Sequence, residues 1–246
     1  MFSADITVLL LTGLVALLAG YVHSAIGFGF GIVAVTLLPL FVDVHQSHVV
    51  ISTAAVPVLL MAAWAYRDGA DLKSLAPALA AAAVCLPIGL WAFEGASPEW
   101  LIRGTGGAIL VMVGLSFLNR RRASRSDKSR GGSAWFAGAL GGFLAGAVSI
   151  AGPPVAAYAL AQPWDQRRFK AFLSQFLVIV SVYKVIGMTI RGLLDSEVMI
   201  QSATLAPMAM IGIQLGALSS HRWSADRFQY LVAAALVGIA LYFVLG

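Results

Sequence analysis

The residues with the most chemistry to offer stand at two interruptions in an otherwise apolar chain. The first, His23-Ser24-Ala25-Ile26-Gly27-Phe28-Gly29-Phe30-Gly31, sets glycine at every second position beside an imidazole and a hydroxyl. The second, Gly146-Ala147-Val148-Ser149-Ile150-Ala151-Gly152-Pro153-Pro154, sets a serine ahead of a glycine and a proline pair. A helix that starts inside an apolar medium presents unpaired amides and a partial positive charge at its first turn, which attracts an anion without any buried lysine. On this reading Gly27, Gly29, Gly31 and Gly152 let backbone approach a ligand and Ser24 and Ser149 add hydroxyl donors. Pro153 opens a helix at no cost in hydrogen bonds. The competing reading is close helix packing, for which membrane helices use small residues throughout. The proline pair, which packing does not need, favours a site.

Further polar residues lie inside apolar runs. His23 beside the first break either carries a proton, if transport is coupled to a proton gradient, or is a satisfied hydrogen-bonding residue. Thr53 and Gln175 fall at equivalent places when the second interruption is laid on the first, as do Ser52 and Ser174, and all are candidate lining groups. Lys184 either faces a cavity, where its ammonium pairs with an anion, or snorkels to the nearby end of its span. Gln214 is a last interior polar group, with interhelical hydrogen bonding as its plainer role.

The elements that hold these residues follow from composition. Of 246 residues, 60% are hydrophobic and 11% charged, and the mean hydropathy is +0.88. Such a chain has no polar shell and reads as an all-α polytopic membrane protein. The net charge of +5 resides in short connections, where lipid topology rather than nucleic acid explains it. The single cysteine, Cys85, rules out intrachain disulfides and thiolate metal clusters. No cofactor is implied. The N-terminus lacks Lys and Arg and runs into the first break without a cleavage signature, so no cleaved leader is expected.

Apolar runs place spans at about residues 6–22, 27–42, 48–66, 75–93 and 101–118, then 134–148, 153–161, 171–190, 198–219 and 228–245. The first two of each half are short for a hydrocarbon core of about 30 Å and are expected to be broken or re-entrant. Residues 1–118 thus form a first membrane repeat, 119–133 a basic cytoplasmic linker and 134–246 a second repeat, with about 8–10 embedded helices in all. A shift of 122 lays Gly27 on Ser149 and Thr53 on Gln175, and a shift of 127 lays Gly89 on Gly216. With the linker inside, 13 of the 16 basic residues fall on the cytoplasmic side. They are Arg67, Lys73, six linker residues, Arg167, Arg168, Lys170, Arg222 and Arg227. That bias sets both termini outside and inverts the second repeat, the layout from which alternating access is built. The linker's basic run also has the composition of an acidic-lipid contact.

Enzymatic chemistry is not supported. Carboxylates are confined to the N-terminal tail and connections, the serine of the second break lacks a glycine two residues ahead of it, and no phosphate-binding loop occurs. A passive anion channel remains the alternative to a coupled carrier.

The glycine-alternating break, the apolar run ending in Pro39, the Gly-x-x-Ser-x-x-Gly-Pro-Pro break and the basic linker together resemble the TauE/SafE family of sulfite exporters over nearly the whole chain. The resemblance implies transport of sulfite, thiosulfate, sulfoacetate or other small organosulfur anions across a bacterial inner membrane. Phe30 between Gly29 and Gly31, with Ser149 and Ala151 where glycine is common, departs from the family pattern and leaves the particular anion open. Valine at Gly29 or Gly152 is expected to stop transport in a protein that still folds.

Overall fold

A computed structural model describes residues 6–69, 71–95 and 130–220, with a scatter of positions between 224 and 242. The span expected at 101–118, most of that expected at 228–245 and most of the linker lie outside the described residues. Among the described residues eight α-helices follow in order: α1 (Ile6–Ile26), α2 (Phe30–Leu37), α3 (Val44–Ala65), α4 (Leu72–Gly95), α5 (Arg130–Val148), α6 (Gly152–Leu160), α7 (Gln166–Ile190) and α8 (Ser196–Ser220). Five of them are long and apolar enough to cross a membrane.

The helix boundaries have local causes. α1 runs through His23 and Ser24 and stops where Gly27 adopts φ 93°, its amide returning to the His23 carbonyl at 2.7 Å. At about 1.5 Å per residue its 21 residues cover about 31 Å, enough to cross, so the expected end at residue 22 is one turn too early. α2 has eight residues and α6 nine, about 12–14 Å each, and neither can cross. α7 begins at Gln166, not near 171, because Asp165 caps it: the carboxylate accepts from the Arg168 amide at 2.8 Å. Arg167, Arg168 and Lys170 therefore sit in helical turns, not in a loop. Glu197 likewise lies in the first turn of α8 and accepts from Gln46 at 3.3 Å.

Lipid tails give helices no hydrophobic reason to associate, so packing depends on close backbone approach at small residues. α1 lies against α8 and α4 against α5 in this manner. A Cβ at Gly20 would strike the Ala209 carbonyl and one at Gly216 the Tyr21 carbonyl; in the other pair, Gly146 meets the Leu86 carbonyl and Gly89 that of Phe143. α3 and α7 fill the space between these pairs, and every residue of α6 is buried. The starts of α2 and α6, and those of α3 and α7, are separated by the same 122 residues that part Gly27 from Ser149.

One end of the bundle carries the charge. Arg167 pairs with Asp68 and Arg168 with Asp71, each at 3.1 Å, while Arg67 and Arg168 lie over the rings of Trp64 and Trp164 at 4.5 and 5.1 Å. These ion pairs are exposed and contribute at most about 1 kcal/mol each. Their worth is positional, since aromatic rings with cations mark a membrane boundary.

Candidate anion site

The two interruptions meet. Gly31 at the start of α2 packs on the Ser149 carbonyl so closely that a Cβ would overlap it, and a Cβ on Gly152 would come within 2.9 Å of the Phe28 Cβ. Gly29, with φ 110°, is the N-cap residue of α2 and takes a backbone shape that a side chain opposes. The glycines thus bring backbone to backbone, and Phe28 fills the space into which a side chain at Gly152 would point.

Beside this junction is a pocket of about 50 Å³, lined by His23, Gly29, Gly31, Ser52, Ser149, Gly152 and Lys184 together with apolar side chains. Leu177, Ser181 and Lys184 reach it from α7 at helical spacing. Lys184 is 3% exposed, and its Nζ donates to Ser149 Oγ at 2.6 Å. It does not snorkel. Among the described residues no carboxylate pairs with it.

Ser149 is the hub. It is the one non-glycine residue among those described with positive φ, 59°, at the position just past the end of α5 that Gly27 occupies after α1. Its hydroxyl touches Lys184, His48 Nδ1 at 3.0 Å and Ser52 Oγ at 3.3 Å. The hydrogen of Ser52 goes to the His48 carbonyl at 2.6 Å. Ser149 therefore accepts from Lys184 and, with His48 as the Nε2–H tautomer, donates its own hydrogen to His48 Nδ1, the nearer acceptor. A left-handed conformation costs a non-glycine residue about 1–2 kcal/mol, and here it aims the hydroxyl at these three partners.

His23, in the last turn of α1, is 1% exposed, and its Nε2 finds no hydrogen-bond partner among the described residues. A ring nitrogen on a pocket wall can hydrogen-bond a small polar body within it. The first amides of α2 and α6 add to the positive character, for neither helix has a side-chain cap.

The remaining expected residues lie off the pocket. Gly27 packs against Phe169 and Lys170. Ser24 offers its carbonyl to Lys170, Thr53 bonds back to the Val49 carbonyl at 2.9 Å, and Gln175 reaches across to the Ala63 carbonyl at 3.2 Å. Pro153 sits in the first turn of α6. Gln214 is exposed on the outside of α8, not interior. Three groups escaped the sequence reading: His48, Ser181 and Lys170. Lys170, counted as a loop cation, is buried with Nζ bonded to the Ser24 carbonyl at 2.7 Å and Ser220 Oγ at 2.8 Å, tying the ends of α1, α7 and α8 together. Ser181 carried a signal, since it stands one turn before Lys184 on the same helix face.

Residues 12–243 match the family described as sulfite exporter TauE/SafE. A curated relative from Cupriavidus necator, described as a probable sulfite/organosulfonate exporter TauE, is 26% identical over 238 residues, covering 93% of this chain and 91% of the relative. No solved structure matches.

Proposed function

The chain belongs to the sulfite exporter TauE/SafE family, and from that premise we propose that it carries sulfite-sized anions through the pocket between its two breaks. Family membership makes it a multi-pass protein of the bacterial inner membrane and a transporter, not an enzyme. The observation that supports the anion site is Lys184. An ammonium enclosed among apolar helices, with no carboxylate beside it among the described residues, is unfavourable by several kcal/mol unless a counter-ion joins it. The pocket provides that counter-ion with further donors: the first amides of α2 and α6, and the His23 ring that lines it.

Size supports the substrate class. A water-sized body needs about 10–15 Å³ by this measure, so about 50 Å³ holds about four heavy atoms, as in sulfite. Thiosulfate or an organosulfonate requires the pocket to widen. A pocket with room for one small anion favours a carrier over the passive channel. Saturable sulfite flux into proteoliposomes, with competition from thiosulfate and sulfoacetate but not chloride, is the expected result; flux that rises linearly with sulfite concentration would favour the channel.

Alternating access between inverted repeats is the mechanism we favour. Its support is the equal 122-residue spacing of helix starts and the matched pairing of α1 with α8 and α5 with α4. On this topology the Arg67–Asp68 end is cytoplasmic. In a Cys85→Ala background, Lys73→Cys is expected to react with a membrane-impermeant maleimide only in inverted vesicles. Reaction in intact cells with an unbroken inner membrane would reverse the orientation.

A further inference from the structure

Resting on the proposed sulfite site, we infer that Lys184, Ser149 and His48 form a proton relay, with His48 the residue that takes up the proton Lys184 gives away when the pocket empties. The relay is a chain of short contacts between α7, the second break and α3. Lys184 Nζ to Ser149 Oγ is 2.6 Å and Ser149 Oγ to His48 Nδ1 is 3.0 Å, both within hydrogen-bond reach, and all three residues are buried or nearly so. His48 is one turn inside α3, whose other end adjoins Arg67, so the imidazole stands at the far end of the bundle from the charged cluster. It does not line the pocket. Its ring is held flat against Phe93 of α4 at 4.0 Å, 13° from parallel, which fixes Nδ1 on Ser149.

The transfer balances without a co-reactant. The Nζ–H bond of Lys184 breaks as a new Oγ–H bond forms on Ser149, and the original Oγ–H bond breaks as Nδ1–H forms on His48. Ser149 ends with one hydrogen, Lys184 as an amine and His48 as an imidazolium. The hydrogen bond from Ser52 to the His48 carbonyl keeps Ser52 from donating to Ser149, so the hydroxyl hydrogen remains available to His48. The step is tied to the anion because an occupied pocket holds the ammonium charged beside its counter-ion, whereas an emptied one leaves that charge enclosed and alone. Other charged or titratable groups around the relay are His23, which lines the pocket from α1, Asp43 just before α3, whose carboxylate accepts from the Gln46 amide at 3.2 Å, and Glu197 at the start of α8, which is exposed and bonded to Gln46. None of these is in the chain of contacts from Lys184 to His48.

The test reads proton and sulfite movement together in proteoliposomes, with an entrapped pH dye and protein-free vesicles subtracted. In the wild type, a sulfite gradient is expected to move protons in fixed proportion to sulfite. His48→Gln and His48→Asn, whose amides cannot carry a proton, are expected to bind sulfite within threefold of the wild type while protons moved per sulfite fall at least tenfold. An unchanged proton ratio in the folded variants, or a wild type that moves sulfite without protons, overturns the relay. The wild-type ratio decides the matter should both variants misfold. Failure of the wild type to bind sulfite at all strikes the proposed function itself, and the relay falls with it.

Discussion

Lys184→Met leaves a folded protein that no longer binds sulfite. Methionine keeps the length of the side chain and removes the ammonium, so the pocket loses its one cation among the described residues that touches Ser149. A bound anion would lose a charge-assisted hydrogen bond worth about 1.5–3 kcal/mol and would itself become a buried, uncompensated charge, at about 3–5 kcal/mol. Affinity should therefore fall by at least about 100-fold, each 1.4 kcal/mol being tenfold. The empty protein gains an apolar group where an ammonium lacked a counter-charge, so its melting temperature should hold or rise. Sulfite at 100 times its Kd stabilises a binding protein by about 2.7 kcal/mol, and this protection should vanish in the variant. Sulfite protection that survives Lys184→Met would remove the anion site from this pocket.

Valine at Gly29 or Gly152 is the second large effect, and it falls on folding as well as on transport. Gly29 has φ 110°, where a β-branched residue is strained whatever the space around it, and its Cβ would also stand 3.0 Å from Val22. Valine at Gly152 drives a branched side chain into Phe28, whose ring is fully buried and has nowhere to go. Overpacking of this type costs about 1–3 kcal/mol or more. We expect both variants to show lower melting temperatures and reduced yield in the membrane, with transport lost. This reverses the expectation, drawn from sequence, that the fold would survive because the glycines made room for an anion. Wild-type stability in Gly152→Val would restore that earlier reading, since it would mean that the two breaks stand apart in the native protein.

Much of the plan was legible in the chain because lipid is a severe judge of sequence. Backbone groups without partners and charges without counter-ions are so unfavourable in hydrocarbon that apolar runs, glycine-proline interruptions and basic loops record their own positions. Hence the two short helices after Gly29 and Ala151, the meeting of the breaks and the class of protein were all foreseeable, and the family match bears out the class. Hydropathy could not find the polar first turns of α7, because an end capped by Asp165 and occupied by Gln166, Arg167 and Arg168 looks like a loop to any apolar window. Nor could it say which way a side chain faces. His48 and Thr53 share α3, and Gln175 and Lys184 share α7, yet only the crossing of those two helices decides that His48 and Lys184 converge on Ser149 while Thr53 and Gln175 bond elsewhere. Sequence by itself determined where the membrane helices break; the tertiary structure decided which cation and which polar groups gather at that junction, because azimuth around a helix axis is fixed by packing between helices and not by the order of residues along one.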